Sequence, residues 1–338
     1  MILLKANLMR AFGVDSLTVE EVEDPSPGRG QVVVRVVEAG VNPVDYFVVS
    51  GMRTVEPMPH IPGAEFAGVV EEVGPDVKSV RPGDRVVVYP RVFCGRCDMC
   101  VSGSEHLCRV GGIVGAVTNG GFAEKALVSE SNVFKIPDSV SWDIAASLPV
   151  AALTPYHALR EAGVSPGDVV VIVGASGNTG QFALQLAKMM GARVLAVSSK
   201  KWPLELGADE VAPVEQSYEV LRKMTGGRLA DVVIDAVGTP TLPTSLKLLD
   251  SRGRLIIFGA LRGSSLSLSA TDLYSRELRI VGTTGGTRGE FMRLIDMASR
   301  GLLKVKVWRR HQLTEAREAL KLLFSRERDG RVMLVAGS

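Results

Sequence analysis

The sequence predicts an α/β protein with two domains: an antiparallel, barrel-like domain and a doubly wound parallel sheet covered by helices. A chain of 338 residues is too long for one small core, so two domains are expected. Up to about Asp138, short valine-rich segments are separated by glycine- and proline-rich turn signals. From about Ser141, apolar runs of strand length alternate with helical patterns, which is typical of a parallel sheet.

The first part of the chain contains strands that are identified by their valine content. Gln31–Ala39 and Arg85–Tyr89 are two such strands, and turn signals lie at residues 25–28 and at Pro82–Gly83. Short strands with turns between them favour antiparallel pairing. Arg309–Arg310–His311, the densest basic run, is interpreted as a solvated loop or the edge of a strand.

The second part of the chain contains apolar runs at intervals that suit βα units. The predicted strands are Val169–Val173, Arg193–Val197, Asp231–Asp235, Arg254–Phe258 and Leu278–Val281. Two helical segments follow near Glu290–Ser299 and Thr314–Ser325, and a last strand is predicted at Arg331–Val335.

All four cysteines lie in one short stretch with the spacing C-x2-C-x2-C-x7-C, namely Cys94, Cys97, Cys100 and Cys108. Thiolates this close repel one another unless a cation neutralises them, and Zn²⁺ accepts four sulfur ligands in a tetrahedron. Four protein ligands leave no position open for a substrate, so the pattern predicts a structural zinc site. Redox-active or disulfide-forming thiols are the alternative.

The composition excludes several classes of partner. A net charge of +2 is close to balance and implies no nucleic-acid partner. No apolar stretch reaches membrane-spanning length, and Met1–Arg10 lacks the layout of a signal peptide, so we expect a cytoplasmic protein without a membrane partner. Scarce Asn and Gln together with plentiful Arg indicate a thermophilic source.

A glycine-rich turn between a strand and a helix predicts a nucleotide site. Val169–Val173 runs directly into a G-x-x-G-x-x-G segment, formed by Gly174, Ala175, Ser176, Gly177, Asn178, Thr179 and Gly180. Glycine permits a tight turn and a close approach of the backbone to a pyrophosphate, and the helix N-terminus offers free N–H groups. The buried face of that helix is predicted to carry Phe182, Leu186, Met189 and Met190. A glycine loop without a ligand is the alternative.

The end of the second strand of the parallel sheet indicates which nicotinamide cofactor binds. NAD enzymes usually place a carboxylate there for the ribose hydroxyls, whereas this chain has Ser198, Ser199, Lys200 and Lys201. Hydroxyl and ammonium groups suit a 2′-phosphate, so NADP(H) is favoured. The alternative is that Lys200 and Lys201 are ordinary surface lysines.

Several segments together resemble the medium-chain dehydrogenase/reductase superfamily over essentially the whole length. They are the cysteine segment, Gly63–Gly74, Gly120–Glu124 and Thr154–Leu159. The resemblance implies a GroES-like catalytic domain over residues 1–140 with a zinc lobe at 91–111, a Rossmann NADP-binding domain over 141–284, and a return to the catalytic domain over 285–338. It also implies a homodimer or homotetramer, and cofactor contacts from Thr154, Gly259 and Thr283.

The chain departs from zinc-type alcohol dehydrogenases at the positions that match their catalytic metal ligands. Asn42 stands where the family has a cysteine, Ala64 where it has a histidine, and Val150 at the third ligand position. An amide, a methyl and an isopropyl group cannot hold Zn²⁺. We therefore expect one structural zinc and no catalytic zinc in each chain.

Asn42, Tyr46 and Asp45 are the candidate catalytic residues. Asn42 and Asp45 match the G-V-N-x-x-D segment of the quinone oxidoreductases, although Val49 replaces the arginine that usually follows. Asn42 either donates a hydrogen bond near the nicotinamide or holds a loop, and Tyr46 either orients the substrate or packs as a half-buried side chain. Asp45 is expected to fix its own loop rather than act as a base, and Glu65 either to pair with a nearby cation or to have a perturbed pKa.

The resulting prediction is an NADP(H)-dependent oxidoreductase that transfers hydride to a small apolar quinone, enone or activated ketone. Without a metal to stabilise an alkoxide, a conjugated acceptor is favoured because its charge spreads into an enolate. Phe47, Met52 and Met58 indicate an apolar substrate. The alternatives are an alcohol dehydrogenase or carbonyl reductase for secondary alcohols and ketones, and a non-catalytic NADPH-binding protein.

Overall fold

The structure is a computed structural model that describes residues 3–53, 55 and 58–337. Contacts within the chain divide it into two compact units, one formed by the residues up to Leu153 and from Gly286 onward, the other by Thr154–Gly285. The first boundary lies further along the chain than the predicted residue 140. The reason is that helices Trp142–Ala145 and Leu148–Ala152 pack and hydrogen-bond within the first unit.

Seven of the described strands form the main sheet of the first unit, and all its neighbouring pairs except one are antiparallel. Its spatial order is Val307–Gln312, Arg331–Val335, Gln31–Gly40, Phe66–Val73, Arg85–Val88 and Val133–Lys135, with Lys125–Ser129 also paired to Gln31–Gly40. Four of the five valines of the long central strand are buried, and Val37 is half-buried, as suits β-branched residues between two partner strands. The basic run Arg309–His311 lies on the outermost strand of this sheet.

The remaining described elements of the first unit are short. Two strand pairs complete it, Leu3–Met9 with Leu17–Glu23 and Arg91–Val92 with Gly112–Ile113. Its α- and π-helices are Pro43–Val49, Asp98–Val101, Trp142–Ala145, Leu148–Ala152, Arg288–Ser299 and Ala316–Lys321. Its 3-10 turns are Val14–Ser16, Glu105–Leu107, Glu130–Asn132, Leu313–Glu315 and Leu322–Phe324. The predicted helical segment Thr314–Ser325 is thus one short helix between two 3-10 turns.

The second unit is built on a six-stranded sheet in which all described pairs are parallel. Its order is Glu210–Ala212, Arg193–Val197, Val169–Val173, Ala230–Asp235, Leu249–Ile257 and Arg279–Gly282. Helix Leu153–Glu161 leads into the first of these strands, and helices and 3-10 turns connect the others, namely Gly180–Met189, Trp202–Leu206, Val214–Gln216, Ser217–Thr225, Leu242–Leu248 and Ala270–Ser275. The predicted parallel α/β sheet is confirmed.

The strand order of this sheet reverses beside Val169–Val173. From that strand the chain first proceeds outward to Arg193–Val197 and Glu210–Ala212, and then returns to Ala230–Asp235 on the other side. A reversal of this kind leaves a crevice at the carboxyl ends of the strands, where open α/β sheets bind their ligands. The glycine-rich turn begins at Gly174, immediately after this strand.

The helix that follows the glycine-rich turn is buried over most of its length. Phe182 and Leu186 are buried as predicted, but Met189 is 41% exposed, so its assignment to the core was wrong. Residues 180–187 are all buried, which leaves only the C-terminal end of the helix at the surface. In the part of the chain that the structure describes, no helix has both the length and the hydropathy needed to cross a membrane.

Candidate functional site

The four cysteines lie together and are unbridged. Their sulfur atoms lie within 4.8 Å of one another, with Cys97 3.5 Å from Cys100 and 3.9 Å from Cys108, and Cys94 4.0 Å from Cys100. A tetrahedron with Zn–S bonds of ~2.3 Å has edges of about 3.8 Å, which these separations match. Backbone N–H groups lower the pKa of Cys97 and of Cys108, which favours the thiolate that binds metal, whereas burial raises the pKa of Cys100. The cluster fits a structural zinc site.

The glycine-rich turn has the geometry that close approach to a phosphate requires. Gly174 has a φ of +77°, a left-handed conformation that glycine adopts without strain. The N–H of Gly177 donates to the carbonyl of Gly174 at 2.8 Å, and a Cβ atom on Gly180 would overlap that same carbonyl. Helix Gly180–Met189 therefore begins directly against the strand, with its N-terminal N–H groups beside the turn. Asn178, within the turn, is buried.

The end of strand Arg193–Val197 is linked to the glycine-rich turn through Ser198. Its hydroxyl lies 2.9 Å from the hydroxyl of Ser176 and accepts the N–H of Lys200 at 3.0 Å. Ser198 is buried, Ser199 is exposed and Lys200 is half-buried. One hydroxyl thus ties the turn predicted for the pyrophosphate to the segment predicted for the 2′-phosphate.

The other predicted cofactor residues lie at ends of elements in the second unit. Thr154 is in the first turn of helix Leu153–Glu161, and Gly259 follows strand Leu249–Ile257. The N–H of Thr283 donates to the carbonyl of Ile257 at 3.0 Å. Among the described residues, the Oγ1 atom of Thr283 is buried without a hydrogen-bond partner. Their contacts with the cofactor stay predictions.

In the first unit, the buried carboxylate of Asp45 connects two of the positions that match metal ligands in the zinc enzymes. Its Oδ2 atom accepts the N–H of Asn42 at 2.8 Å, and its Oδ1 atom accepts the N–H of Ala64 at 2.9 Å. The first bond is half of a capping box at the start of helix Pro43–Val49. Burial raises the pKa of Asp45 to about 7, although both backbone N–H groups act in the opposite direction.

The fully buried Glu65 connects the third of these positions, Val150, to Asn42. Its Oε1 atom accepts the N–H groups of Val150 and Ala151 at 2.8 and 2.7 Å. Its Oε2 atom accepts the amide of Asn42 at 2.6 Å and the guanidinium of Arg331, which is also fully buried. The cation that the sequence led us to expect beside Glu65 is therefore Arg331.

These contacts bring Asn42, Ala64 and Val150 together around two carboxylates that are occupied by N–H donors. None of the three side chains offers a nitrogen, sulfur or carboxylate ligand suited to Zn²⁺. Among the described residues, the cysteine cluster is the group of His, Cys, Asp and Glu ligand atoms close enough to share an ion. The residues present do not fit a catalytic zinc.

The described contacts of Asn42 and Tyr46 favour the structural alternative for each. Asn42 is fully buried, begins helix Pro43–Val49 and donates to Glu65 and to the carbonyl of Gly40. Tyr46 is half-buried, and its ring lies 4.6 Å from that of Phe324 in an edge-to-face arrangement. Donation from either residue to a substrate stays a prediction.

A second pair of carboxyl groups, the buried Glu38 and the half-buried Asp143, was not found in the sequence. Glu38 is 4% exposed, and burial together with a hydrogen bond to Asp143 raises its pKa to about 8. Asp143 in turn accepts two bonds of 2.7 Å from Arg310. An acid inside the valine-rich run Gln31–Gly40 was the available signal, because a carboxyl group in a buried strand requires a partner or a proton.

Comparison with known proteins gives matches along the whole chain. Residues 28–138 match the family model of the alcohol dehydrogenase GroES-like domain, and residues 179–300 match that of the zinc-binding dehydrogenases. An NAD-dependent alcohol dehydrogenase of Sulfolobus acidocaldarius is 33% identical, in an alignment that covers 98% of this chain and 99% of the relative. An acryloyl-coenzyme A reductase of Sulfurisphaera tokodaii is 30% identical, over 94% of this chain and 95% of the relative.

The solved structures agree with the family models. A thermostable alcohol dehydrogenase of Pyrobaculum aerophilum with bound cobalt and zinc superimposes with a TM-score of 0.91 at 38% identity. The alignment covers 99% of this chain and 100% of that protein. Similarity at this level and over this length establishes both the family and the combination of a GroES-like with a Rossmann domain.

Proposed function

This chain belongs to the medium-chain dehydrogenase/reductase superfamily of oxidoreductases, and we propose that it reduces small apolar enones, quinones or activated ketones with NADP(H) and without a catalytic zinc. The observation that carries the proposal is the set Asn42, Ala64 and Val150 at the positions matching metal ligands. The carboxylates of Asp45 and Glu65 accept hydrogen bonds from these three residues and so hold the three positions together. By resemblance to the superfamily, we further propose a homodimer or homotetramer.

The chemistry of conjugate reduction suits a site without a Lewis acid. Bound NADPH would supply the hydride: its C–H bond would break to leave NADP⁺, a C–H bond would form at the β-carbon of the enone, and the π electrons of the C=C bond would move into an enolate. A proton from water or a mild acid at the α-carbon would then complete the saturated ketone. Direct attack on the carbonyl carbon instead concentrates charge on one oxygen, which strong donors or a metal must stabilise. The likeness to an acryloyl-coenzyme A reductase supports a conjugated acceptor.

Product analysis tests the site of hydride addition. We expect the protein, NADPH labelled with deuterium at the transferable position, and 2-cyclohexen-1-one to give cyclohexanone labelled at the β-carbon, identified by mass spectrometry and NMR. Gly180→Val serves as the inactive control, because a side chain there would overlap the carbonyl of Gly174 and disrupt the glycine-rich turn.

Other products would support the alternatives. Labelled 2-cyclohexen-1-ol would mean carbonyl reduction and favour the alcohol dehydrogenase alternative, which the NAD-dependent relative supports. Binding of NADPH without acceptor-dependent oxidation, across a panel of enones, quinones and ketones, would favour the non-catalytic alternative.

The preference for NADP(H) is proposed from Ser198, Ser199 and Lys200, and a charge reversal tests it. Lys200→Glu is expected to weaken NADPH binding about 10- to 100-fold and to change NADH binding little, because it replaces a charged partner of the 2′-phosphate with a like charge. Dissociation constants from cofactor fluorescence would measure both. Lys223→Glu is the control, since it reverses the charge of an exposed lysine on helix Ser217–Thr225. A wild-type protein that binds NADH more tightly than NADPH would contradict the proposal.

A further inference from the structure

Glu38 is a carboxyl group inside the main sheet of the first unit. It lies on strand Gln31–Gly40, opposite Ala67 on one neighbouring strand and Val335 on the other, and neither of these residues carries a charged side chain. Glu38 is 4% exposed, and among the described residues its Oε1 atom is buried without a hydrogen-bond partner. An ionised carboxylate at this place would hold an oxygen that neither water nor a donor satisfies, which is costly.

Glu38 is hydrogen-bonded to a second carboxyl group, that of Asp143 in the first turn of helix Trp142–Ala145. Because an ionised carboxylate can only accept hydrogen bonds, one of the two groups must carry a proton. Both oxygens of Asp143 lie 2.7 Å from a guanidinium nitrogen of Arg310, which favours the ionised form of Asp143. The shared proton therefore belongs to Glu38.

The charged groups that act on Glu38 come from three elements packed around its strand. They are Asp143 on helix Trp142–Ala145, Arg310 on strand Val307–Gln312 and Arg331 on strand Arg331–Val335. Burial first, and then Asp143, raise the pKa of Glu38 from its ordinary value of 4.5 to about 8, while both arginines act in the opposite direction. The charges thus agree with the geometry that Glu38 is protonated near neutral pH.

We propose that Glu38 and Asp143 form a pH-sensitive switch: their shared proton fixes helix Trp142–Ala145 to the main sheet of the first unit, and loss of that proton releases the helix. Without the proton, two ionised carboxylates face each other at a buried place and repel. Asp143 is half-buried and Arg310 is exposed, so both can move toward water with the helix. The switch involves neither cofactor nor substrate, so it goes beyond the proposed function and does not rest on it.

Release of the helix is expected to be local, because other contacts hold the chain on either side of it. Before the helix, the guanidinium of Arg85 donates to the carbonyl of Val140 at 2.7 Å. After it, the carboxylate of Glu65 accepts the N–H groups of Val150 and Ala151. The amides that report the release are those that donate to carbonyls of residues 141–144, namely Ala145, Ala146 and Ser147.

Hydrogen exchange of these three amides tests the switch in wild type and Glu38→Gln at the same pH, which cancels the intrinsic pH dependence of exchange. The glutamine amide donates to Asp143 without titrating. In wild type, the folded form keeps a proton that the released form, with a hydrated carboxyl group, loses, so release becomes more favourable as pH rises. Protection in wild type relative to Glu38→Gln is therefore expected to fall about a hundredfold between about pH 6 and about pH 8.

Glu72→Gln is the matched control, since it removes an exposed carboxylate from the neighbouring strand Phe66–Val73. It is expected to show the protection of wild type at both pH values. A pH titration of wild type labelled with carbon-13 at the glutamate carboxyl groups keeps the test valid if Glu38→Gln does not fold, because one glutamate is expected to titrate near pH 8. Protection that changes equally with pH in wild type and Glu38→Gln, or a wild type in which every glutamate titrates below about pH 6, would overturn the inference.

Discussion

Replacing Cys97 with serine is expected to lower the zinc content from about one ion per chain to near zero and to lower the temperature of unfolding. The sulfur of Cys97 lies 3.5 Å from that of Cys100 and 3.9 Å from that of Cys108, at distances expected between two corners of a tetrahedral zinc site. A serine hydroxyl is a poor substitute for a thiolate, and the three remaining thiolates then repel one another without a cation. Elemental analysis of desalted protein and a thermal unfolding curve measure the two effects.

Asp98→Asn provides the control within the same lobe. It removes a surface ion pair with Arg109, in which both side chains are about 60% exposed, and should leave zinc content unchanged. A full zinc complement in Cys97→Ser would show that the metal is held elsewhere. Two zinc ions per wild-type chain would contradict the absence of a catalytic zinc. Disulfides in protein purified without reductant would favour the redox alternative.

The parts of the fold that were predictable are those in which local sequence decides the structure. Val169–Val173 was predicted to the residue, because five consecutive apolar residues that end at a glycine leave little choice of boundary. The Glu210–Ala212 strand was missed, since three residues at the edge of a sheet carry no usable pattern. Met189 was misplaced because helical periodicity shows which residues share a face, not where the covering strands end.

The candidate site likewise has parts that local sequence predicts and parts that it does not. The glycine-rich turn could be read from the sequence because its strand, turn and helix are consecutive. The partner of Glu65 could not, because Arg331 lies 266 residues away and reads locally as the start of an apolar strand. Pairings between distant residues depend on how strands are ordered in the sheet, which periodicity does not contain. The sequence therefore offered a nearby cation as one of two expectations for Glu65, without indicating which cation.

The pair of Glu65 and Arg331 is the most deeply buried ion pair among the described residues, since neither side chain is exposed. Space for it depends on Gly40, where a Cβ atom would overlap both the guanidinium and the carboxylate. The pair also orients the amide of Asn42, which shares the Oε2 atom of Glu65 with Arg331. Removing only one partner of an ion pair that is shielded from water is costly, because the remaining charge cannot be hydrated.

Arg331→Met is therefore expected to reduce the free energy of unfolding by about 3–5 kcal/mol. Glu65 would keep three N–H donors, from Asn42, Val150 and Ala151, but would lose the only described cation that contacts it. Urea or guanidinium unfolding measures the change. Arg10→Met is the matched control, since its partner Glu20 forms an exposed pair at 2.7 Å and the loss should be much smaller.

The double variant Glu65→Gln/Arg331→Met separates the penalty of an unpaired charge from the value of the pair itself. Glutamine keeps an oxygen for the N–H groups of Val150 and Ala151, and the amide of Asn42 can rotate so that its oxygen accepts from the new side chain. With both charges removed, we expect the double variant to recover most of the stability lost in Arg331→Met. If the loss of stability in the double variant equalled the sum of the losses in Glu65→Gln and in Arg331→Met, the two residues would stabilise the unit independently. The ion pair would then not be the reason for their burial.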